Sequence, residues 1–189
     1  MPASLELTTF RERQIPLCVD AYHVLGDMGF IPETTELLEG IVIKKMPKSP
    51  LHNYIVFWLA NALRAFAGAK LLVREEKPLE VDGFSEPEPD IAVVEGDASD
   101  FLRSNPETAR VVIEVSCSSL AADQSKAVLY AKAGVPEYWI VRAEERVIEI
   151  RSCPEGTEYR ETRIVSAENE FVSKALPGFV LDWSRLFPR

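Results

Sequence analysis

Two short runs of largely β-branched residues constrain the fold of this chain more than anything else in it: Ile91-Ala92-Val93-Val94 and Val111-Val112-Ile113-Glu114-Val115. Neither run alternates apolar with polar residues. A strand that is apolar on both faces must be covered on both faces, which calls for a central sheet with helices above and below it. Each run also carries an acid where an apolar residue would otherwise stand. Asp90 opens the first run, directly after Pro89, and Glu114 sits near the end of the second. Burying a lone carboxylate is costly unless it is paired or meets a cation.

The flanking segments extend this picture. Residues 17–29 have helical spacing, with Leu17, Tyr22, Leu25 and Met28 apolar and Gly29 as a stop. Leu37 to Met46 reads as a strand, with Gly40 allowing a turn or bulge, and Pro47 and Pro50 end it. Asn53 to Ala67 reads as a helix whose polar residues, Asn53, Asn61 and Arg64, keep to one narrow stripe. So apolar a helix is either deeply buried or part of a subunit contact, and burial is the expectation. Leu71 to Val81 is expected as a strand, with an edge position or bulge at Pro78 and a turn at Asp82-Gly83. Leu120 to Ala133 is helical up to Gly134. Tyr138 to Val141 and Val147 to Arg151 are strands, residues 158–182 hold further short strands, and Trp183 to Phe187 forms a terminal turn. This order gives an α/β fold with a mixed sheet flanked by helices rather than a regular βαβ repeat. Residues 1–16 read as a loosely attached arm and residues 17–189 as a single domain, for which the length is suited.

Composition narrows the function. The longest apolar stretch, Tyr54 to Ala60, is too short to span a bilayer, and the first ten residues lack the pattern of a secretory signal, so a cytoplasmic protein is expected. Cys18, Cys117 and Cys153 are far apart and form no Cys-x-x-Cys pair, which argues for thiols rather than zinc ligands. No glycine-rich phosphate loop is present. The formal net charge is −9, unfavourable for gripping nucleic acid, whose binding depends on neutralising phosphates. Lys44, Lys45 and Lys48 form a local basic stretch that reads most simply as a solvated patch.

The acids carry the chemistry. Asp90 and Glu114, on neighbouring strands, can converge on one magnesium ion, which prefers oxygen ligands and retains water; the Val115 carbonyl offers a further oxygen. Asp123, Lys126 and Tyr130 share one face of the following helix. If that face packs over the strand ends, the Lys126 ammonium reaches a metal-bound water and the charge developing on a phosphate. Glu39, before Gly40, is a further candidate for holding a second metal or a metal-bound water. The bland alternatives stay open on spacing alone: Asp90 as a turn cap, Glu114 as one face of an ordinary strand, Lys126 as a solvated helix residue.

The stretches Thr35–Gly40, Lys48–His52, Ser85–Val94, Val112–Val141 and Leu176–Phe179 together resemble the Uma2 family of bacterial restriction-endonuclease-like proteins, from about residue 17 to the C-terminus. The resemblance implies the PD-(D/E)xK nuclease fold and a magnesium-dependent endonuclease that hydrolyses DNA phosphodiester bonds, with manganese as a substitute ion and a homodimer as the working form. It makes Asp90 and Glu114 the metal carboxylates. The standard motif places a lysine two residues beyond the second acid. That position is Ser116 here, and the resemblance transfers the role to Lys126. Glu39 matches an acid of an early Glu-x-x-Glu-Gly segment, and His52 falls in a recurrent Ser-Pro-x-His stretch without an assigned role. Cys117 and Gln124 depart from the pattern, the latter replacing a frequent arginine. The rival expectation, which the net charge of −9 favours, is a catalytically silent binding or regulatory protein that keeps the nuclease fold.

Overall fold

The computed structural model describes residues 14–188. Most of the expected arm, residues 1–13, lies outside the described residues. The residue that follows the arm is tied to the first hairpin: the Leu17 amide donates to the Gly40 carbonyl at 3.0 Å.

The elements run in the order α1 (Val19–Asp27), β1 (Thr35–Leu38), β2 (Ile41–Lys44), α2 (Pro50–Ala67), β3 (Leu71–Glu75), β4 (Ile91–Glu95), a 3-10 turn (Ala98–Phe101), β5 (Val111–Ser116), α3 (Leu120–Ser125), α4 (Ala127–Lys132), β6 (Glu137–Arg142), β7 (Val147–Glu155), β8 (Glu158–Val165) and α5 (Trp183–Leu186). Strands β3 to β8 form one six-stranded sheet in sequence order. All neighbours are antiparallel except β5 and β6, which are parallel and joined by α3 and α4. The sheet is mixed and flanked by helices, as the sequence pattern requires.

Both faces of β4 and β5 are covered. Ile91, Val93, Val111, Ile113 and Val115 pack into one core with Ile55, Leu59 and Leu63 of α2 and with Phe171, Phe179 and Leu186 from the C-terminal segment. Ala92, Val94 and Val112 face a second core containing Ala127 and Tyr130.

Five segments differ from expectation, most of them for a local reason. The single strand over 37–46 is a hairpin in which Leu38 pairs with Ile41, leaving Glu39-Gly40 as a two-residue loop. Both loop residues have positive φ, 51° and 75°, the requirement of a type I′ turn. The strand expected over 71–81 stops at Glu75, because Glu76 turns left-handed at φ 51°. The helix α2 begins three residues earlier than expected: Ser49 caps it by accepting from the His52 amide, and Pro50 occupies a first-turn position that suits proline. Its outward face bears Leu51, Tyr54 and Phe57, so it is half-buried rather than wholly so. The expected strands in 158–182 reduce to β8; beyond Val165 the chain lies over the first core without strand pairing.

The helix expected over 120–133 breaks once, at Lys126. The Ser125 hydroxyl donates to the Ala122 carbonyl at 2.6 Å, a local bond that competes with the helix ladder. Among the described residues no helix is long and apolar enough to cross a membrane.

Candidate active site

Strand register creates the site. Ile91 pairs with Ile113 across the antiparallel β4 and β5. One residue further, where β4 has not yet begun, Asp90 falls opposite Glu114, and directly opposed residues project on the same face. The Asp90 amide donates to Glu114 Oε2 at 3.3 Å. Both side chains are buried.

Every oxygen of this pair has a partner. Asp90 Oδ2 accepts the Val115 amide at 2.7 Å and pairs with His52 Nε2 at 3.0 Å. Asp90 Oδ1 meets the Lys48 ammonium at 2.8 Å. Glu114 Oε1 accepts the Tyr130 hydroxyl at 3.0 Å and the Lys126 ammonium at 3.1 Å. Lys126 also reaches Glu36 at 3.0 Å, and Glu36 accepts the Glu88 amide. Five elements therefore meet here: the β1 hairpin, the α2 entry, β4, β5 and the α3–α4 break. They enclose a cleft of about 190 Å³ whose lining includes Lys44, Lys45, Cys117 and Asp123. A larger depression of about 710 Å³ between α2 and the 3-10 turn, lined by Phe66, Lys70, Asp100 and Arg110, contains none of these groups.

The surroundings push the two acids apart. Burial would raise Asp90, but its hydrogen bond and charge contacts with His52 and Lys48 outweigh that and hold it down at about 2. Asp90 is then an acceptor only, so His52 donates through Nε2, leaving His52 Nδ1 buried without a partner among the described residues. Burial pushes Glu114 up to about 8; Lys126 opposes this, and the charges of Asp90, Asp123 and Glu36 add to it. Burial would lower Lys126, yet Glu114 and Glu36 raise it above its ordinary value, so it stays charged.

Of the residues singled out in the sequence, the structure brings Asp90, Glu114, Val115 and Lys126 together. It does not bring Glu39 in. At the tip of the type I′ turn, its side chain is 63% exposed and lies 3.8 Å from Lys132. The acid that the hairpin delivers is Glu36, three residues earlier and buried. Glu36, Lys48 and Tyr130 were not assigned a place at the acids by sequence reasoning. Hairpin register would have found Glu36, since a two-residue loop sends its own side chains to solvent. The helical spacing already placed Tyr130 on the Lys126 face.

Magnesium suits the donor set. Both acids supply hard oxygen, and the Val115 amide on Asp90 shows that the Val115 carbonyl faces the same strand edge, because a strand residue's N–H and C=O share an edge. Magnesium needs no more than one or two carboxylates, since it retains water. A fuller cage is absent: among the described residues no three His, Cys, Asp or Glu side chains converge to hold a metal.

The sequence matches the family model for Uma2, described as "Putative restriction endonuclease", over residues 31–184. The chain belongs to the Uma2 family. The match covers the hairpin that carries Glu36, both acid-bearing strands and the Lys126 helix. A solved structure of a protein described as "a putative nuclease belonging to DUF820", from Anabaena variabilis ATCC 29413, shares the fold with a TM-score of 0.72 and 18% identity, covering 91% of this Uma2 chain and 98% of that one. No curated protein matches the sequence.

Proposed function

We propose that this Uma2 protein is a metal-dependent endonuclease that hydrolyses DNA phosphodiester bonds at the Asp90–Glu114 site. The observation that carries the proposal is the buried, face-to-face placement of these two acids with a charged lysine beside them. Asp90, Glu114 and the Val115 carbonyl would hold magnesium, or manganese in its place. When bound, the ion would polarise a phosphate and make a nearby water more acidic.

The chain's own groups prepare the rest. His52 and the Val115 amide fix Asp90 by one oxygen. Tyr130 fixes Glu114. Lys126, clamped between Glu36 and Glu114, is a positive charge held at a stated point, able to orient a water and stabilise charge developing on the phosphate without first reorganising. Glu36 thus serves as a positioning residue for Lys126. A homodimer belongs to the proposal, and the outward Leu51, Tyr54 and Phe57 of α2 give it an apolar contact surface.

The test is cleavage of supercoiled plasmid with magnesium or manganese. The wild type is expected to nick or linearise it, and Asp90→Ala and Lys126→Ala to abolish cleavage while retaining the fold. A wild type that cuts neither plasmid, single-stranded DNA nor RNA, and binds no divalent ion by calorimetry, would leave the rival reading of a silent nuclease-fold binding protein. The net charge of −9 is the observation on that side.

A further inference from the structure

An acidic protein that cuts DNA must find positive charge somewhere, and the cleft has it in an unexpected state. Lys44, at the end of β2, and Lys45 and Lys48, on the segment between β2 and α2, all line the wall of the cleft that holds the two acids. Two of the three are engaged. Lys45 meets Glu88 at 2.6 Å, and Lys48 bridges Asp90 at 2.8 Å and Glu76 at 3.0 Å. As the site stands, its basic strip is spent on its own acids.

The two oxygens of Asp90 are held very differently. Oδ2 is fixed by two groups of the packed scaffold, the Val115 amide and the buried His52. Among the described residues, Oδ1 is held by Lys48 alone. Lys48 is 30% exposed, and it stands on a connecting segment between Pro47 and the helix cap Ser49. The oxygen left for a metal is therefore the one covered by a flexible ammonium. A divalent ion on that oxygen would repel the ammonium at close range.

Resting on the proposed metal-dependent nuclease function, we propose that Lys48 is a resident counter-ion of the metal site: it neutralises Asp90 until a divalent cation takes its place, and is then released to bind a phosphate of the substrate backbone. The basic strip is in this way coupled to metal occupancy. Without metal the protein repels DNA; with metal the acids are neutralised by the ion and the lysine turns to the phosphate. Such exchange couples the two affinities positively and reciprocally, since the same group cannot hold Asp90 and a phosphate together.

The test uses calcium, on the expectation that it occupies the site without supporting cleavage, with Lys48→Met as the main variant. Methionine keeps much of the apolar stem and removes the charge. Calcium binding by calorimetry is expected to tighten about fivefold to tenfold in Lys48→Met, because a competing ion pair is gone. Affinity for a DNA duplex in calcium is expected to fall, with the slope of log K against log salt shallower by about one, the loss of one phosphate contact. In chelator the two proteins should bind DNA equally weakly. Lys48→Arg, which retains the charge, should resemble the wild type in both measurements. A merely structural role for Lys48 would weaken metal and DNA binding together, and that result overturns the proposal. So does a wild type that binds calcium while Lys48→Met binds it no more tightly; in that case plasmid cleavage still decides the nuclease reading separately. A wild type that binds no divalent ion overturns both.

Discussion

Asp90 and Glu114 lie side by side, yet their protons behave in opposite ways, and this has a consequence for stability. Glu114 titrates at about 8 in the folded chain against an ordinary 4.5. Between those values the folded state holds a proton that the unfolded state has lost. Its contribution is complete below 4.5 and disappears as pH rises through 8. Asp90, held at about 2 against 3.8, acts in reverse: its contribution is present above 3.8 and lost as pH falls through 2. In chelator, urea unfolding should therefore show stability declining from pH 5 to pH 8, with a slope of at most about 1.4 kcal/mol per pH unit from this one proton. Glu114→Gln should flatten the decline. Magnesium should flatten it in the wild type, because metal binding requires the ionised carboxylate and expels the proton. A decline unchanged in Glu114→Gln would place the buried proton elsewhere. The two early acids separate just as cleanly. Glu36→Gln should lower cleavage at least tenfold by loosening Lys126, whereas Glu39→Gln, altering an exposed turn tip, should change it less than twofold in the same plasmid assay.

At the scale of elements, the β1–β2 hairpin matters because it carries Glu36 to Lys126. Its turn tolerates little change. Gly40 has φ 75°, and a Cβ there would lie 2.3 Å from the Pro16 Cβ. Gly40→Ala should cost about 1–3 kcal/mol in urea unfolding, from left-handed strain and the clash together; no loss would mean that Pro16 does not pack there. In α2, Leu63→Ala should cost about 2–5 kcal/mol, because Leu63 is fully inside the first core.

The same elements explain what could be read from the sequence. The central strands were legible because β4 and β5 are covered on both faces, and only an uninterrupted apolar run meets that condition. Their acids were legible for the converse reason: Asp90 and Glu114 break a pattern that nothing else breaks. Glu36 was not, because Glu36 and Glu39 look equivalent until the register Leu38 to Ile41 fixes which one is the turn. Strand β3 was overread because Leu79 and Val81 resume an apolar alternation beyond Glu76, where the backbone has already departed. Lys48 was hidden in a short basic stretch, whose role depends on the long-range approach of α2 to Asp90.

For the whole molecule, the contradiction between a charge of −9 and the proposed nucleic-acid substrate becomes a statement about where charge is placed. The surface as a whole repels DNA, and the site supplies Lys126 and the lysines of the β2–α2 segment. The family and the fold fix the architecture; on the proposed function, the acids, the lysine and the strand edge supply the chemistry. Assembly is a separate question with its own test. Phe57 on α2 is 67% exposed, so Phe57→Glu should leave the melting temperature nearly unchanged at low concentration while shifting sedimentation from dimer to monomer. A wild type that sediments as a monomer at all concentrations would remove the homodimer from the account.

Whether Asp90, Glu114 and Val115 form one metal site is decided by anomalous diffraction from manganese-soaked crystals. The expected result is a peak within bonding distance of Asp90 Oδ1, a Glu114 oxygen and the Val115 carbonyl, with Lys126 close enough to contact a water on the ion. A peak on other residues, or none at a manganese concentration that supports cleavage, would contradict it.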